Sequence, residues 1–345
     1  MELKAIQKND FIALLSELAK GEQTEVIAPV RRDDIVRFRA IRSGEEADFS
    51  EWNTKLSVKE VFFPPKECLY TYAAESGSIA VAPPAPDTRR RVVVGVRPCD
   101  ARSIAILDRV FASGEMKDNY YLDKRERTTI VGMACLEPLQ TCFCSSVGGS
   151  PFGEEGMDAL LCDMGDCYMA KAITEKGEKL IADWEVASSE DAAAMEKAQA
   201  QAEAKVRPDA VPEGVKEILD KCFEDKFWDG VHERCLGCAT CTFLCPTCHC
   251  FDLAEEVAAG KGRRLRVWDT CMFPLFTRHA SGANPRPSGK ERMRQRVMHK
   301  FRYFVENFGV AACVGCGRCV IACPVNLDIR EVLNDVAKLE PSPKT

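Results

Sequence analysis

Histidine is scarce in this chain. The four in 345 residues, His232, His249, His279 and His299, form no evident catalytic pair, and each is read as a structural residue. No run of 18 apolar residues occurs, which excludes a helical membrane span. The opening Met1-Glu2-Leu3-Lys4 begins an amphipathic stretch with no long apolar segment, so no secretory signal is expected. Positive charge is in deficit. Lys and Arg number 47 against 53 Asp and Glu, a net charge of −6, whereas a general nucleic-acid binder needs a basic footprint. Several catalytic signatures are also missing. No Gly-x-Gly-x-x-Gly follows a strand, and there is no Walker motif, no Gly-x-Ser-x-Gly elbow and no His-Glu-x-x-His helix. The usual means of binding a nicotinamide and handling hydride are therefore absent from the sequence.

Cysteine is abundant, at 19 residues. Disulfides, zinc and iron–sulfur clusters are the ordinary explanations. Disulfide scaffolds are short and secreted, and an odd count leaves one thiol over. Metal ligation in a reducing cytoplasm is the better starting point. The length suits about two domains at roughly 100–200 residues each. With 46% apolar and 29% charged residues, a packed core is expected.

Residues 1–20 read as a helix on the spacing of Ile6, Phe11, Leu14, Leu15 and Leu18. Strand-like runs follow at 26–30 and 35–41, and the prolines at 64–65 and 83–86 mark loops. The buried-strand run 91–96 ends at Pro98-Cys99-Asp100. A helix pattern with Ile104, Leu107, Val110 and Phe111 on one face comes next, and a second apolar run at 128–133 ends at Cys135. Strand, helix, strand in this order predicts a parallel βαβ unit. Further strand-like sequence lies at 168–173, with a turn at Lys176-Gly177. Composition shifts near 187, where an Ala-, Glu-, Lys- and Gln-rich helix with little apolar face precedes Pro208 and Pro212. The expected organisation is an α/β domain at 1–186, a helical linker at 187–213, and an α-helical ferredoxin-like domain at 214–345.

The last region contains two matching segments, Cys235-x-x-Cys238-x-x-Cys241-x-x-x-Cys245-Pro246 and Cys313-x-x-Cys316-x-x-Cys319-x-x-x-Cys323-Pro324. Each is a full two-cluster ferredoxin run, in which the fourth cysteine ligates the other cluster. Three cysteines two residues apart wrap three corners of a cubane, and the fourth faces away before proline redirects the chain. The expected ligand sets are Cys235, Cys238, Cys241 and Cys323 for one [4Fe–4S] cluster, and Cys313, Cys316, Cys319 and Cys245 for the other. Zinc sites come as pairs of pairs rather than as such runs. Gly315 and Gly317 fit between ligands, where backbone approaches sulfide closely. An insertion at 246–312, read as helical, separates the runs. It includes an amphipathic helix at 290–308 with an apolar stripe of Met293, Val297, Phe301, Phe304 and Phe308. Arg292, Arg294, Arg296, Lys300 and Arg302, with Arg263, Arg264 and Arg266, make it locally basic. That fits a solvated face, electrostatic balance for anionic clusters, or docking of an acidic partner.

Cys99, Cys135, Cys142 and Cys144 lie outside the repeats. The βαβ unit puts Cys99 and Cys135 just past two strand ends, where open parallel sheets carry cofactors, and Cys142-Phe143-Cys144 follows in the same loop. Four thiols match the count for a third [4Fe–4S] cluster, and equally suit small buried hydrophobes.

The stretch Gly95-Val-Arg-Pro-Cys-Asp100, with Cys135 and Cys142-Phe-Cys144, resembles the β subunit of soluble sulfhydrogenases and the A subunit of anaerobic sulfite reductases. So do Cys245-Pro-Thr-Cys-His-Cys250, Trp268-Asp-Thr-Cys271, the His279 to Asn284-Pro-Arg286 loop, Arg296 with His299-Lys300, and Cys313-Val-Gly-Cys-Gly-Arg-Cys319. The likeness spans roughly 90–330. It implies a non-catalytic [4Fe–4S] electron-relay subunit of an anaerobic, cytoplasmic, hetero-oligomeric oxidoreductase, and it favours the third cluster. The implied partners are a flavin- and NAD(P)H-binding subunit, which would carry the flavin, and a hydrogenase or other reductase subunit. The alternative is a reductase subunit whose own cluster binds substrate near Cys248, Cys250 and Cys271. Those three thiols fall one short of a cubane and are read as packing beside the nearby cluster. The Arg278 to Arg286 loop is read as a clamp on the ferredoxin core rather than an anion grip. Cys68, Cys162, Cys167 and Cys222 read as incidental.

Overall fold

The computed structural model describes residues 2–50, 53–75, 78–85 and 87–339. Met1 and Pro86, included in the first helix and the second proline cluster, lie outside them. The chain forms two units of interleaved segments. Residues 1–59, 88–211 and 313–318 make the first, and residues 60–87, 212–312 and 319–345 the second. In chain order the strands are β1 (Lys4–Gln7), β2 (Thr24–Arg32), β3 (Ile35–Ala40), β4 (Lys66–Glu75), β5 (Ser78–Ala82) and β6 (Arg90–Val96). They continue with β7 (Thr128–Met133), β8 (Ala159–Asp163), β9 (Cys167–Ala172), β10 (Glu185–Val186), β11 (Phe251–Ala258) and β12 (Lys261–Trp268).

The first unit is built on a sheet of order β10-β1-β9-β8-β7-β6-β2-β3. Its centre, β2, β6, β7 and β8, is parallel. Antiparallel strands close both edges. Val92, Val93, Val94 and Val96 of β6 are all buried, the unbroken apolar pattern of a strand covered on both faces. Pro98 opens the helix Pro98–Phe111, where its fixed φ suits the first turn and its missing N–H costs nothing. That helix buries Ile104, Leu107 and Phe111 and leads, through a second helix at Asn119–Glu126, to β7. The expected βαβ unit is present. On one face Phe11 and Leu15 pack with Val26, Val94, Val131 and Tyr168, and the Phe11 and Tyr168 rings meet edge-on at 5.2 Å.

Three local expectations change. Residues 4–7 are strand rather than helix, because they pair with β9 and β10, and the helix runs over Lys8–Lys20. Lys176-Gly177 lies inside a helix, Glu175–Ile181, not a turn. Gly177 is there for clearance, since a Cβ would stand 1.9 Å from the Asp158 carbonyl oxygen. The apolar segment at β8 went unread as a strand.

The second unit is not purely helical. Its four-stranded antiparallel sheet has the order β11-β12-β4-β5, so the insertion opens with a hairpin and becomes helical only from Gly289. The hairpin turns at Ala259 and Gly260, both with positive φ, as a two-residue type I′ connection requires. Strands β4 and β5 join this sheet because β4 pairs with β12, a partner far away in sequence. The amphipathic helix runs as Gly289–Met298, widens into a π-turn at His299–Tyr303, and resumes at Phe304–Phe308 before Gly309 ends it at φ +73°.

Candidate metal centres

The two cysteine runs share a backbone. Gly237 and Gly315, which precede the second cysteine of each run, have φ of +65° and +63°. Ala239 and Gly317, which follow it, have φ of +62° and +72°. A single helical turn comes next in each, Thr240–Phe243 and Arg318–Ile321. Each run then closes in a cysteine-proline turn, with the Cys248 N–H bonded to the Cys245 carbonyl and the Asn326 N–H to the Cys323 carbonyl. Left-handed backbone on both sides of one cysteine turns successive amides toward a common point, a geometry that favours anions and cluster sulfur.

Several donors already face the thiols. The N–H of Gly237 donates to Cys235 Sγ at 3.4 Å, and that of Leu327 to Cys323 Sγ at 3.2 Å. Lys300 Nζ donates to Cys245 Sγ at 3.2 Å. The exposed Cys238 thiol is held below its ordinary value by the Thr240 hydroxyl and backbone N–H. Arg296 is 6% exposed. It pairs with no carboxylate among the described residues, and its Nε has no partner. Burial disfavours its charge, yet Cys241, Cys319, Cys248 and Cys245 around it raise its pKa. A buried guanidinium facing thiols calls for an anionic occupant, and a cluster with four thiolates is one. The residues present therefore fit iron–sulfur clusters.

None of the nineteen cysteines, all described, forms a disulfide. Among the described residues no three His, Cys, Asp or Glu side chains converge tightly enough to cage a single metal ion. A cubane does not ask for that, because each thiolate takes its own iron corner.

In the first unit the structure gathers the other four candidate thiols. Cys99 and Cys135 lie just past the carboxyl ends of the neighbouring parallel strands β6 and β7. Cys142 lies within electrostatic reach of Cys135, Cys144 and Cys99. Burial pushes Cys135 up to about 11 and Cys142 to about 12, and raises Cys99 and Cys144 as well. Such thiols stay protonated until a metal takes the proton's place. Cys99 and Cys144 line a cavity of about 190 Å³ with Arg102 on its wall. Arg97, buried at the same edge, feels Cys135 and Cys99.

The segment 313–318 packs onto this site. The Phe143 N–H bonds the Gly315 carbonyl at 2.8 Å, and Asn53 Nδ2 bonds the Cys316 carbonyl at 2.8 Å. Cys316 lies within electrostatic reach of both Cys99 and Cys142. Arg318 grips Asp100 with two nearly parallel bonds of 2.6 and 2.7 Å, and its Nε donates to the Thr54 carbonyl at 2.9 Å. Arg318 and Asp100 were not singled out in the sequence. Their signal is position, one residue before Cys319 and one after Cys99.

Cys248, Cys250 and Cys271 form contacts in the second unit. The Cys248 thiol donates to Cys245, which lowers Cys245. Cys271 donates to Cys250, which holds Cys250 down at about 7 despite burial. His299 is pushed down to about 3 by burial and by the neighbouring His249 and Lys300, so it stays neutral. Asn284 ties the 274–286 loop together, accepting from the Thr277 hydroxyl and donating to the Pro274 carbonyl, each at 2.7 Å. Among the remaining cysteines, the Cys222 and Cys68 thiols meet the Leu219 and Tyr70 carbonyls, while Cys162 and Cys167 lie in β8 and β9.

A model of the 4Fe–4S dicluster domain matches residues 234–327. Over 334 residues, 95% of each chain, the sequence is 31% identical to sulfhydrogenase 2 subunit beta of Pyrococcus furiosus.

Proposed function

The chain belongs to the family of the sulfhydrogenase β subunit and carries a dicluster domain for two 4Fe–4S clusters; from that premise we propose that it is the electron-relay subunit of an anaerobic, cytoplasmic, hetero-oligomeric oxidoreductase. Cys235, Cys238, Cys241 and Cys323 hold one cluster. Cys313, Cys316, Cys319 and Cys245 hold the second. Cys99, Cys135, Cys142 and Cys144 hold a third in the α/β unit. Bound clusters supply one-electron chemistry between a flavin- and NAD(P)H-binding partner and a hydrogenase or other reductase partner.

The observation that carries this reading is Arg296, a buried guanidinium that faces cysteine sulfur and has no carboxylate counter-ion among the described residues. The chain's other residues hold and tune. Backbone amides donate to sulfur, the Cys238 thiol bonds the Thr240 hydroxyl, and helix packing excludes water around Arg296. Cys316 beside Cys142 supports contact between the second and third cluster sites.

The test is the purified chain without partners. It should accept electrons from a strong reductant and pass them to redox dyes, yet turn over neither hydrogen nor NAD(P)H by itself, and adding the flavoprotein partner should restore NAD(P)H-linked reduction of the clusters. Steady substrate reduction by the chain alone, abolished by Cys248→Ser or Cys271→Ser, would place the chemistry here instead.

A further inference from the structure

The basic stretch of the second unit divides by direction. Among its outward cations, Arg292 bonds the Arg286 and Pro287 carbonyls and the others have carboxylates. Lys290 pairs with Asp229 at 2.9 Å, Arg294 with Glu224 at 3.2 Å, and Arg302 with Asp220. On the sheet, Arg263, Arg264 and Arg266 pair with Glu256, Glu255 and Glu67. Arg296 and Lys300, one helical turn apart, point inward and are 6% and 3% exposed.

Lys300 sits at a junction. An ammonium has three N–H donors. Lys300 Nζ reaches Cys245 Sγ at 3.2 Å, Thr247 Oγ1 at 3.2 Å and the Ala312 carbonyl at 3.0 Å. The Ala312 N–H returns a bond to the Lys300 carbonyl at 2.8 Å, and Thr247 Oγ1 donates to the Ala312 carbonyl at 2.7 Å. Cys245 ends the first cysteine run, and Ala312 immediately precedes Cys313, which begins the second. One side chain thus ties the last cysteine of the first run to Ala312, the residue before the second run. The helix widens into its π-turn at this point, a distortion that recurs at functional positions.

The equivalent cysteine of the second run is treated differently. Cys323 Sγ meets a neutral donor, the Leu327 N–H at 3.2 Å. Net charge and hydrogen bonds to sulfur set the potential of a 4Fe–4S cluster. Within a buried interior a fixed positive charge at hydrogen-bond distance outweighs a neutral amide.

We infer that Lys300 is the positioning residue for the swapped ligand Cys245 and makes the cluster of Cys313, Cys316, Cys319 and Cys245 the higher-potential member of the dicluster pair. The inference rests on the ligand sets proposed above. It gives the pair a direction, since an electron on the dicluster settles beside Lys300. Arg296 does not create this difference, because it reaches two ligands of each set, Cys235 and Cys241 of one and Cys245 and Cys319 of the other.

Redox titration of the full chain, followed by electron paramagnetic resonance, reads the clusters separately. In Lys300→Gln one dicluster signal should titrate at lower potential while the other stays in place and iron content is kept. Lys300→Arg, which keeps the charge, should shift it less. Unmoved potentials in Lys300→Gln, or equal shifts of both clusters, would overturn the inference. If Lys300→Gln fails to load iron, the unaltered chain still decides. The signal perturbed by Cys245→Ser must be the higher-potential one of the pair, and finding it to be the lower overturns the inference. A Cys245→Ser chain with every signal intact would instead remove the ligand set, and the inference with it.

Discussion

The two cysteine runs have the same spacing and the same backbone handedness, yet the chain uses them differently. The first leaves its second cysteine, Cys238, exposed, and has Thr240 at the start of its helical turn. The second buries the equivalent Cys316 to 8% and has Arg318 in place of Thr240. The Thr240 hydroxyl meets the neighbouring Cys238 thiol, at 3.4 Å. Arg318 reaches Asp100 and Thr54 and fixes its segment in the α/β unit. A ligand motif therefore specifies a cluster, while the residues between ligands specify what the cluster is packed against. The first run leaves Cys238 exposed, and in the second Cys316 lies within electrostatic reach of the Cys99 and Cys142 thiols.

Breaking the buried ion pair should separate the runs most strongly. Arg318→Ala leaves Asp100, 1% exposed, without its ion-pair partner, at a cost of about 3–5 kcal/mol. Thr240→Ala, its counterpart, should cost under about 1 kcal/mol. Anaerobic guanidinium unfolding of the loaded proteins compares them. Similar costs would mean that Arg318 is no clamp. The Asp100→Ala, Arg318→Ala double variant should lose less than the sum of the single losses, because neither charge is then left alone.

A smaller effect distinguishes Gly317 from Ala239. Both have left-handed backbone. A Cβ on Gly317 would stand 2.5 Å from Thr141 Oγ1 and 2.7 Å from the Thr141 carbonyl oxygen. Gly317→Ala should therefore destabilise by roughly 2–4 kcal/mol, combining left-handed strain with overpacking. Ala239→Gly removes the strain and frees the unfolded chain, so it should stay within about 1 kcal/mol of the original. The same unfolding measurement checks both, and equal losses would show that the runs share one packing environment.

Much of this was legible in the sequence where the signal is local. The apolar runs of β6 and β7 and the helix after Pro98 follow from short-range pattern, and they put Cys99 and Cys135 at one sheet edge. The sheet of β11, β12, β4 and β5 was hidden because one of its three pairings, β12 with β4, joins residues nearly two hundred apart, as the bond between Arg266 and Glu67 illustrates, and the flanking prolines suggested loops. The tyrosines of β4 at 70 and 72 carried a period-two hint. The basic stretch was visible as composition, but its split was not. Arg294 and Arg296 are two residues apart, and only packing decides which meets Glu224 and which meets sulfur.

Iron and acid-labile sulfide content of the anaerobically purified chain tests the central claim most directly. Three cubanes predict about twelve of each per chain, falling to about eight when Cys99, Cys135, Cys142 and Cys144 are replaced by serine. About eight in the unaltered chain would remove the cluster of the α/β unit, and zinc in place of iron would contradict the account as a whole.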